Sequence, residues 1–389
     1  MVSCSWPHQP AWPPKARIHI TPHRDDRRYT RLTYNRHQYM PPFLKTMANG
    51  SLDAPWSVLA LLAGFGLLLL GGHWLVQGAV TIARRLGIST MVIGLTIVAF
   101  GTSAPELALN VMAAASGDTG LAFGNVVGSN IANIGLVIGL GALVAPLTVS
   151  SRIVRTELPW LIIITLLYIL LTWLPPGVDG AAGTDRIDGI LLLVGAVLIS
   201  LQWYRLGRRQ QGDQLSTESM QDADDAGEPS GSSLGIAWLA LIGGILLLIG
   251  GGKLAEEGAV AIAMHLGVDE VVVGLTIVAI ATTLPEIMTC VIASKRGHAD
   301  LAIGTVIGSN LFNLVLVMGV TSLVNPVPMP NDGWLALGIM TFFTLLLWPM
   351  ARSSRSVGRL EGVALLLCYA AAITWTVIRQ ITDAGSQAT

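Results

Sequence analysis

Gly94 to Glu106 reads GLTIVAFGTSAPE, and Gly274 to Glu286 reads GLTIVAIATTLPE, 180 residues further on. The same offset returns a second motif: Gly124 to Asn130 is GNVVGSN, and Gly304 to Asn310 is GTVIGSN. Each longer copy sets a carboxylate directly behind a proline inside an otherwise apolar stretch. A charge at the centre of a membrane helix costs about 2.5–3.5 kcal/mol, so an ionisable residue at that depth marks a functional site. Two of them at matched positions of a duplicated unit place that site between the repeats, as transporters do.

The rest of the chain agrees with a membrane setting. Of 389 residues, 52% are hydrophobic and only 12% are charged, with a mean hydropathy of +0.63. Soluble domains carry about 25% charged residues. The apolar runs are too long for barrel strands, so the expected fold class is an all-α integral membrane protein. Ten spans are expected, near 56–79, 90–115, 119–145, 158–175, 187–204, 234–256, 270–294, 299–323, 333–350 and 360–379. The net charge of −1 offers nothing to nucleic acid, and the expected environment is a lipid bilayer. Cys4, Cys290 and Cys368 show neither disulfide nor metal spacing. An intramembrane enzyme would need a nucleophile–base pair, paired aspartates or a motif such as HExxH. None is present, so neither catalysis nor a resident cofactor is expected.

Composition divides the chain. Residues 1–50 are rich in Arg, His and Pro, lack an apolar run, and read as a disordered tail, with Met47 as a natural start. Residues 51–204 hold spans one to five and form the first repeat. Residues 205–233, with Asp213, Glu218, Asp222, Asp224, Asp225 and Glu228, have linker composition. Residues 234–380 form the second repeat, and 381–389 a C-terminal tail. Five is odd, so the second repeat enters the membrane in the opposite direction, giving inverted five-helix repeats. Lys and Arg in short loops set the orientation. With both termini outside, the inner loops hold Arg84, Arg85, Arg152, Arg155, Arg205, Arg208, Arg209, Lys295, Arg296, Arg352, Arg355 and Arg359, against Arg186, Lys253 and Arg379 outside. The linker is then cytoplasmic.

The chemistry follows from the prolines. A proline donates no backbone hydrogen bond, and its ring clashes with the carbonyl four residues back. Pro105 therefore breaks the second span beside Thr102, Ser103 and Glu106, and Pro285 breaks the seventh beside Thr282, Thr283 and Glu286. Irregular backbone survives at this depth only where protein buries it or where it lines a cavity. Ser129 and Asn133 lie four apart on one face of the third span, and Ser309 and Asn313 repeat this in the eighth. Serine and asparagine at such positions also serve commonly as interhelical hydrogen-bond formers. The donor set is carboxylate, hydroxyl, amide and carbonyl oxygen, with no Cys or His at the motif. Hard oxygen ligands suit Ca²⁺ and Na⁺. Two carboxylates balance one Ca²⁺, or equally two monovalent cations or two protons, which is the charge logic of exchange.

These two segments resemble the alpha repeats of the calcium/cation antiporter superfamily, specifically the prokaryotic sodium/calcium exchangers, over about residues 55–380. The resemblance implies that Glu106 and Glu286 are the central cation ligands. It adds Thr102, Ser103, Thr282 and Thr283 as oxygen donors, with the carbonyls of Ala99 and Ala279, and completes the cluster with Ser129, Asn133, Ser309 and Asn313. It implies Ca²⁺/Na⁺ antiport in a bacterial inner membrane, with a proton-coupled cation antiporter as the alternative. It also implies that spans one and six slide against the other eight. The second repeat departs in having Ala281-Thr282-Thr283-Leu284 where the first has Gly101-Thr102-Ser103-Ala104. Asn313 stands where some relatives carry Asp, which argues against potassium co-transport.

Overall fold

The structure, a computed structural model, describes residues 54–174, 182–216, 233–266, 279–330, 333–353 and 355–386. The tail at 1–50, residues 217–232 of the linker and the start of the seventh span at 270–278 lie outside the described residues. The helices are α1 Ala54–Leu86, α2 Thr90–Thr102, α3 Ala104–Ser116, α4 Thr119–Val144, α5 Ile153–Trp173 and α6 Arg186–Ser216. In the second half they are α7 Leu234–His265, α8 Leu284–Lys295, α9 Ala299–Val324, α10 Gly333–Ser353 and α11 Arg359–Ser386. Among the described residues, eight helices are long and apolar enough to span a membrane, and α2 with α3 forms a ninth span bent by 41°. The remaining expected span, the seventh, is described from Ala279 onward, as the turn Ala279–Ala281 followed by α8.

Several helices overrun their expected ends. α1 and α7 have 33 and 32 residues. At 1.5 Å per residue each is roughly 48 Å long, well beyond a hydrocarbon core of about 30 Å. Nothing in α1 interrupts the helix until Gly87, which takes φ 62° and ends it. α6 runs on to Ser216, so the first part of the expected linker is helical. Its Arg and Gln residues are good helix formers and need no apolar partner. α11 likewise runs on to Ser386, past the expected start of the C-terminal tail.

Two helices form the centre. The apolar window of α9 is 94% buried and that of α4 is 78% buried, against 17–39% for the other single spans. Around them the halves are related by an approximate two-fold. The strand after α4, β1 Leu147–Thr148, pairs antiparallel with β4 Ser356–Val357 before α11. The strand after α9, β3 Val327–Pro328, pairs antiparallel with β2 Gly183–Thr184 before α6. Trp160, Trp173, Trp334, Trp348 and Trp375 are exposed, as an interfacial belt requires.

α1 and α7 meet along a glycine seam absent from the sequence expectations. Gly64, Gly71 and Gly78 recur every seven residues on α1, and Gly244, Gly251 and Gly258 do so on α7. Seven residues is about two helical turns, so each set is one stripe. A Cβ on Gly71 would lie 2.8 Å from the Leu248 backbone nitrogen, and one on Gly251 would lie 2.9 Å from that of Leu68. Gly78 meets Leu241 and Gly258 meets Leu61 in the same way, each at 2.6 Å. Exchanging the repeats maps this set of contacts onto itself, which is the two-fold stated in atoms.

A further anchor joins α5 to α6 at the end nearest the linker. Trp203 donates its indole N–H to Glu157 Oε2 at 2.9 Å, and Arg152 Nε lies 3.5 Å from Oε1. Trp203 stacks edge-on against Phe312 at 5.6 Å, and Phe312 against Phe100 at 6.1 Å.

Candidate cation-binding site

The prolines act as helix starters more than as kinks. α3 begins at Ala104 and α8 at Leu284, each with its proline in the first turn and its glutamate directly after. Proline fits there because the first-turn N–H groups have no intrahelical acceptor. Those same N–H groups favour a nearby carboxylate. The local sequence thus seats Glu106 and Glu286 at two helix N-termini, and each is only 1% exposed.

α4 and α9 supply the facing wall. Both widen into a π-helical turn beginning at Asn133 and at Asn313. Such turns leave backbone groups out of the regular ladder and recur at functional sites. Thr102 Oγ1 and Ser309 Oγ are hydrogen-bonded at 3.2 Å, tying the broken second span to α9. Both hydroxyls lie beside Glu286, which is also in electrostatic range of Glu106.

The hydrogen bonds between α4 and α9 repeat under the two-fold. Asn133 Nδ2 donates to Asn310 Oδ1 at 2.9 Å, and Asn313 Nδ2 donates to Asn130 Oδ1 at 3.3 Å. Asn310 Nδ2 also donates to the carbonyl of Asn130 at 3.3 Å. With their N–H₂ groups engaged, Asn133 and Asn313 keep their oxygens without a partner. Among the described residues, six buried acceptor oxygens without a hydrogen bond belong to this cluster. They are Ser103 Oγ, Glu106 Oε2, Glu286 Oε1 and Oε2, Asn133 Oδ1 and Asn313 Oδ1. Buried polar atoms are nearly always satisfied, so six orphans in one place call for a ligand. All six are oxygens of the kind that hold Ca²⁺ or Na⁺. Among the described residues no three His, Cys, Asp or Glu side chains are placed so that they could hold a metal ion together, so any ion at the carboxylate pair would rely on neutral oxygens as well.

The expected residues fare unequally. Glu106, Glu286, Thr102, Ser103, Asn133, Ser309 and Asn313 come together as described, and Ser129 and Thr283 are buried on the same elements. Thr282 is half-buried in the turn before α8. The carbonyl of Ala99, expected to offer its oxygen to the ion, accepts from Ser103 N at 3.0 Å and Thr102 Oγ1 at 3.3 Å. Ala279 is described only as the start of its turn. Asn130 and Asn310 were missed, although they are the last letters of the duplicated GNVVGSN and GTVIGSN motifs. Asn110, one turn beyond Glu106, was also missed. It is fully buried and donates to the Ala122 carbonyl at 3.0 Å and to Thr321 Oγ1 at 3.3 Å, bracing α3 against α4 and α9.

The amide pairing has a measurable consequence. Asn310→Leu removes the acceptor of a buried N–H₂ group, and an unmet buried donor costs about 1–3 kcal/mol. The expected result is a lower thermal midpoint in detergent, with Asn130→Leu lowered to a similar extent by symmetry. An unchanged midpoint in both would mean the asparagines do not hold α4 to α9.

Two inverted repeats around a buried cluster of side-chain oxygens define a multi-pass membrane transporter. The chain belongs to the sodium/calcium exchanger family: the family described as sodium/calcium exchanger protein matches at residues 56–201 and 236–378. Among curated relatives, the putative antiporter CaxA of Alkalimonas amylolytica is 37% identical over 320 residues, covering 80% of this chain and 96% of its own. The sodium/calcium exchanger MaX1 of Methanosarcina acetivorans is 29% identical over 338 residues, covering 80% and 96%. A solved structure of the sodium-calcium exchanger NCX_Mj superposes with a TM-score of 0.69 at 30% identity, covering 83% of this chain and 99% of that one. The protein is thus a transmembrane antiporter of this family.

Proposed function

We propose that the protein exchanges Ca²⁺ for Na⁺ at the pocket between Glu106 and Glu286. The supporting observation is the set of six partnerless oxygens, two carboxylates' worth of charge among them, enclosed at the junction of the repeats. Ca²⁺ takes six to eight oxygens at flexible geometry, and a desolvated Na⁺ can use the same set. The membrane is taken to be the bacterial cytoplasmic membrane, with both termini outside and the acidic linker in the cytoplasm, following the Lys and Arg distribution. α1 and α7, joined by their glycine seam, are taken as the pair that slides to alternate access.

The test is reconstitution in Na⁺-loaded liposomes, dilution into Na⁺-free buffer, and measurement of ⁴⁵Ca²⁺ uptake. Uptake that requires internal Na⁺ is expected. Uptake driven by a pH gradient but not by a Na⁺ gradient would replace Na⁺ with protons, which the same two carboxylates can accept. Flux without any counter-ion requirement would indicate a channel.

A further inference from the structure

We propose that Glu157 and Trp203 are positioning residues for cation binding: their hydrogen bond sets Phe312, and through it the Asn313 amide, an inference that rests on the function proposed above. Both residues are buried. The indole N–H of Trp203 donates to Glu157 Oε2 at 2.9 Å. A buried indole needs a partner for its N–H, so this bond selects the orientation of the ring. Arg152 Nε, 3.5 Å from Oε1, holds the carboxylate in turn.

The oriented ring packs on Phe312. Trp203 meets Phe312 edge-on at 5.6 Å and 79°, and Phe312 meets Phe100 at 6.1 Å and 77°. Edge-to-face pairs are directional. Phe312 immediately precedes Asn313, where α9 widens into its π-helical turn. Phe100 precedes Gly101 and Thr102, and the Thr102 hydroxyl is bonded to Ser309. One aromatic row thus backs both α9 and the broken second span. Asn313 spends its N–H₂ on Asn130, and its Oδ1 is one of the six partnerless oxygens. A shift of Phe312 carries that oxygen with it.

The row occurs once, although the fold occurs twice. At the 180-residue offset, Leu337 stands for Glu157 and Ala132 for Phe312. The last spans of the repeats open with Arg186-Ile187-Asp188-Gly189 and Arg359-Leu360-Glu361-Gly362, which puts Thr376 where Trp203 stands. The second repeat builds the same helices without the anchor, so building the fold does not require it.

The experiment compares the wild type with Glu157→Gln, Glu157→Leu and Trp203→Phe in Na⁺-loaded liposomes. Half-saturating Ca²⁺ and maximal ⁴⁵Ca²⁺ uptake are read separately. Glutamine keeps an oxygen for the indole N–H, whereas leucine removes the acceptor and phenylalanine the donor. The expected result is half-saturating Ca²⁺ raised about fivefold, the factor one net hydrogen bond is worth, in Glu157→Leu and Trp203→Phe. Glu157→Gln should match the wild type. A purely structural anchor would lower maximal uptake and leave half-saturation unchanged in all three, which would overturn the proposal. Equal impairment of Glu157→Gln and Glu157→Leu would overturn it too, by assigning the effect to charge. Phe312→Leu should raise half-saturation alone and add little to Glu157→Leu, and full additivity would overturn the route through Phe312. Wild-type protein without Na⁺-dependent uptake would overturn the function proposed above. Positioning is then read from the rise in thermal midpoint that Ca²⁺ causes in each variant, and equal rises in all of them would overturn it.

Discussion

Glu106→Gln and Glu286→Gln are each expected to abolish Na⁺-driven Ca²⁺ uptake while leaving the protein as heat-stable as the wild type or more so. Glutamine keeps the shape of glutamate and removes its charge. At the effective dielectric typical of protein sites, a pair of unit charges 4 Å apart interacts by about 4 kcal/mol, which corresponds to roughly a thousandfold in affinity. A divalent ion loses more. The stability half of the expectation separates function from folding. Both carboxylates are 1% exposed and no cationic side chain balances them among the described residues. Removing an uncompensated buried charge relieves a desolvation cost. An ion-binding pair should therefore lose transport and gain stability, whereas a structural pair should lose stability on substitution. The readouts are ⁴⁵Ca²⁺ uptake in liposomes and thermal unfolding in Ca²⁺-free detergent. Uptake within threefold of the wild type in either variant would remove that glutamate from the pathway.

The duplicated motif made the site legible because it carries its chemistry locally. Proline, hydroxyl and carboxylate lie within five residues, so Thr102, Ser103 and Glu106 fall together whatever the rest of the fold does. The partners of Asn133 and Asn313 were not legible in the same way. Ser129 and Asn130 close the motif and Asn133 follows three residues later, but which amide faces the opposite repeat depends on how α4 is rotated against α9. Periodicity fixes a face only when polar and apolar sides differ, and both of these helices are buried nearly all round. The overrunning ends of α1, α6, α7 and α11 were hidden for another reason. Hydropathy locates the edge of the apolar stretch, while a helix stops only where a residue such as Gly87 lets the backbone turn. The Glu157–Trp203 anchor pairs residues from different spans of one repeat, and the second repeat has Leu337 at the matching position, so the internal duplication gave no hint of it.

Gly71→Val and Gly251→Val are expected to destabilise the protein severely, and Gly250→Val is expected to do almost nothing. The three test one idea on two helices. A Cβ at Gly251 would press on Leu67 Cβ at 2.8 Å and on the Gly64 carbonyl at 2.9 Å, and one at Gly71 would sit 2.9 Å from the Gly244 carbonyl. A Cβ at Gly250, the next residue, meets nothing within 4 Å. Backbone cannot swing aside as a flexible side chain can, so the helices must part, at a cost of roughly 1–3 kcal/mol or more for each overpacked position. In lipid, close backbone approach is a main source of helix affinity, so the loss has no hydrophobic substitute. The effect should also reach the pocket. Gly252 on α7 lies against Pro285, at 3.6 Å from a Cβ to its Cδ, and Gly101 on α2 lies against Ile245 of α7. An α7 pushed off α1 therefore shifts against both broken spans that carry the carboxylates. The measurement is the thermal midpoint of each purified variant beside its liposome uptake. Equal midpoints for Gly250→Val and Gly251→Val would mean that the seam does not join the two helices, and that α1 and α7 move separately.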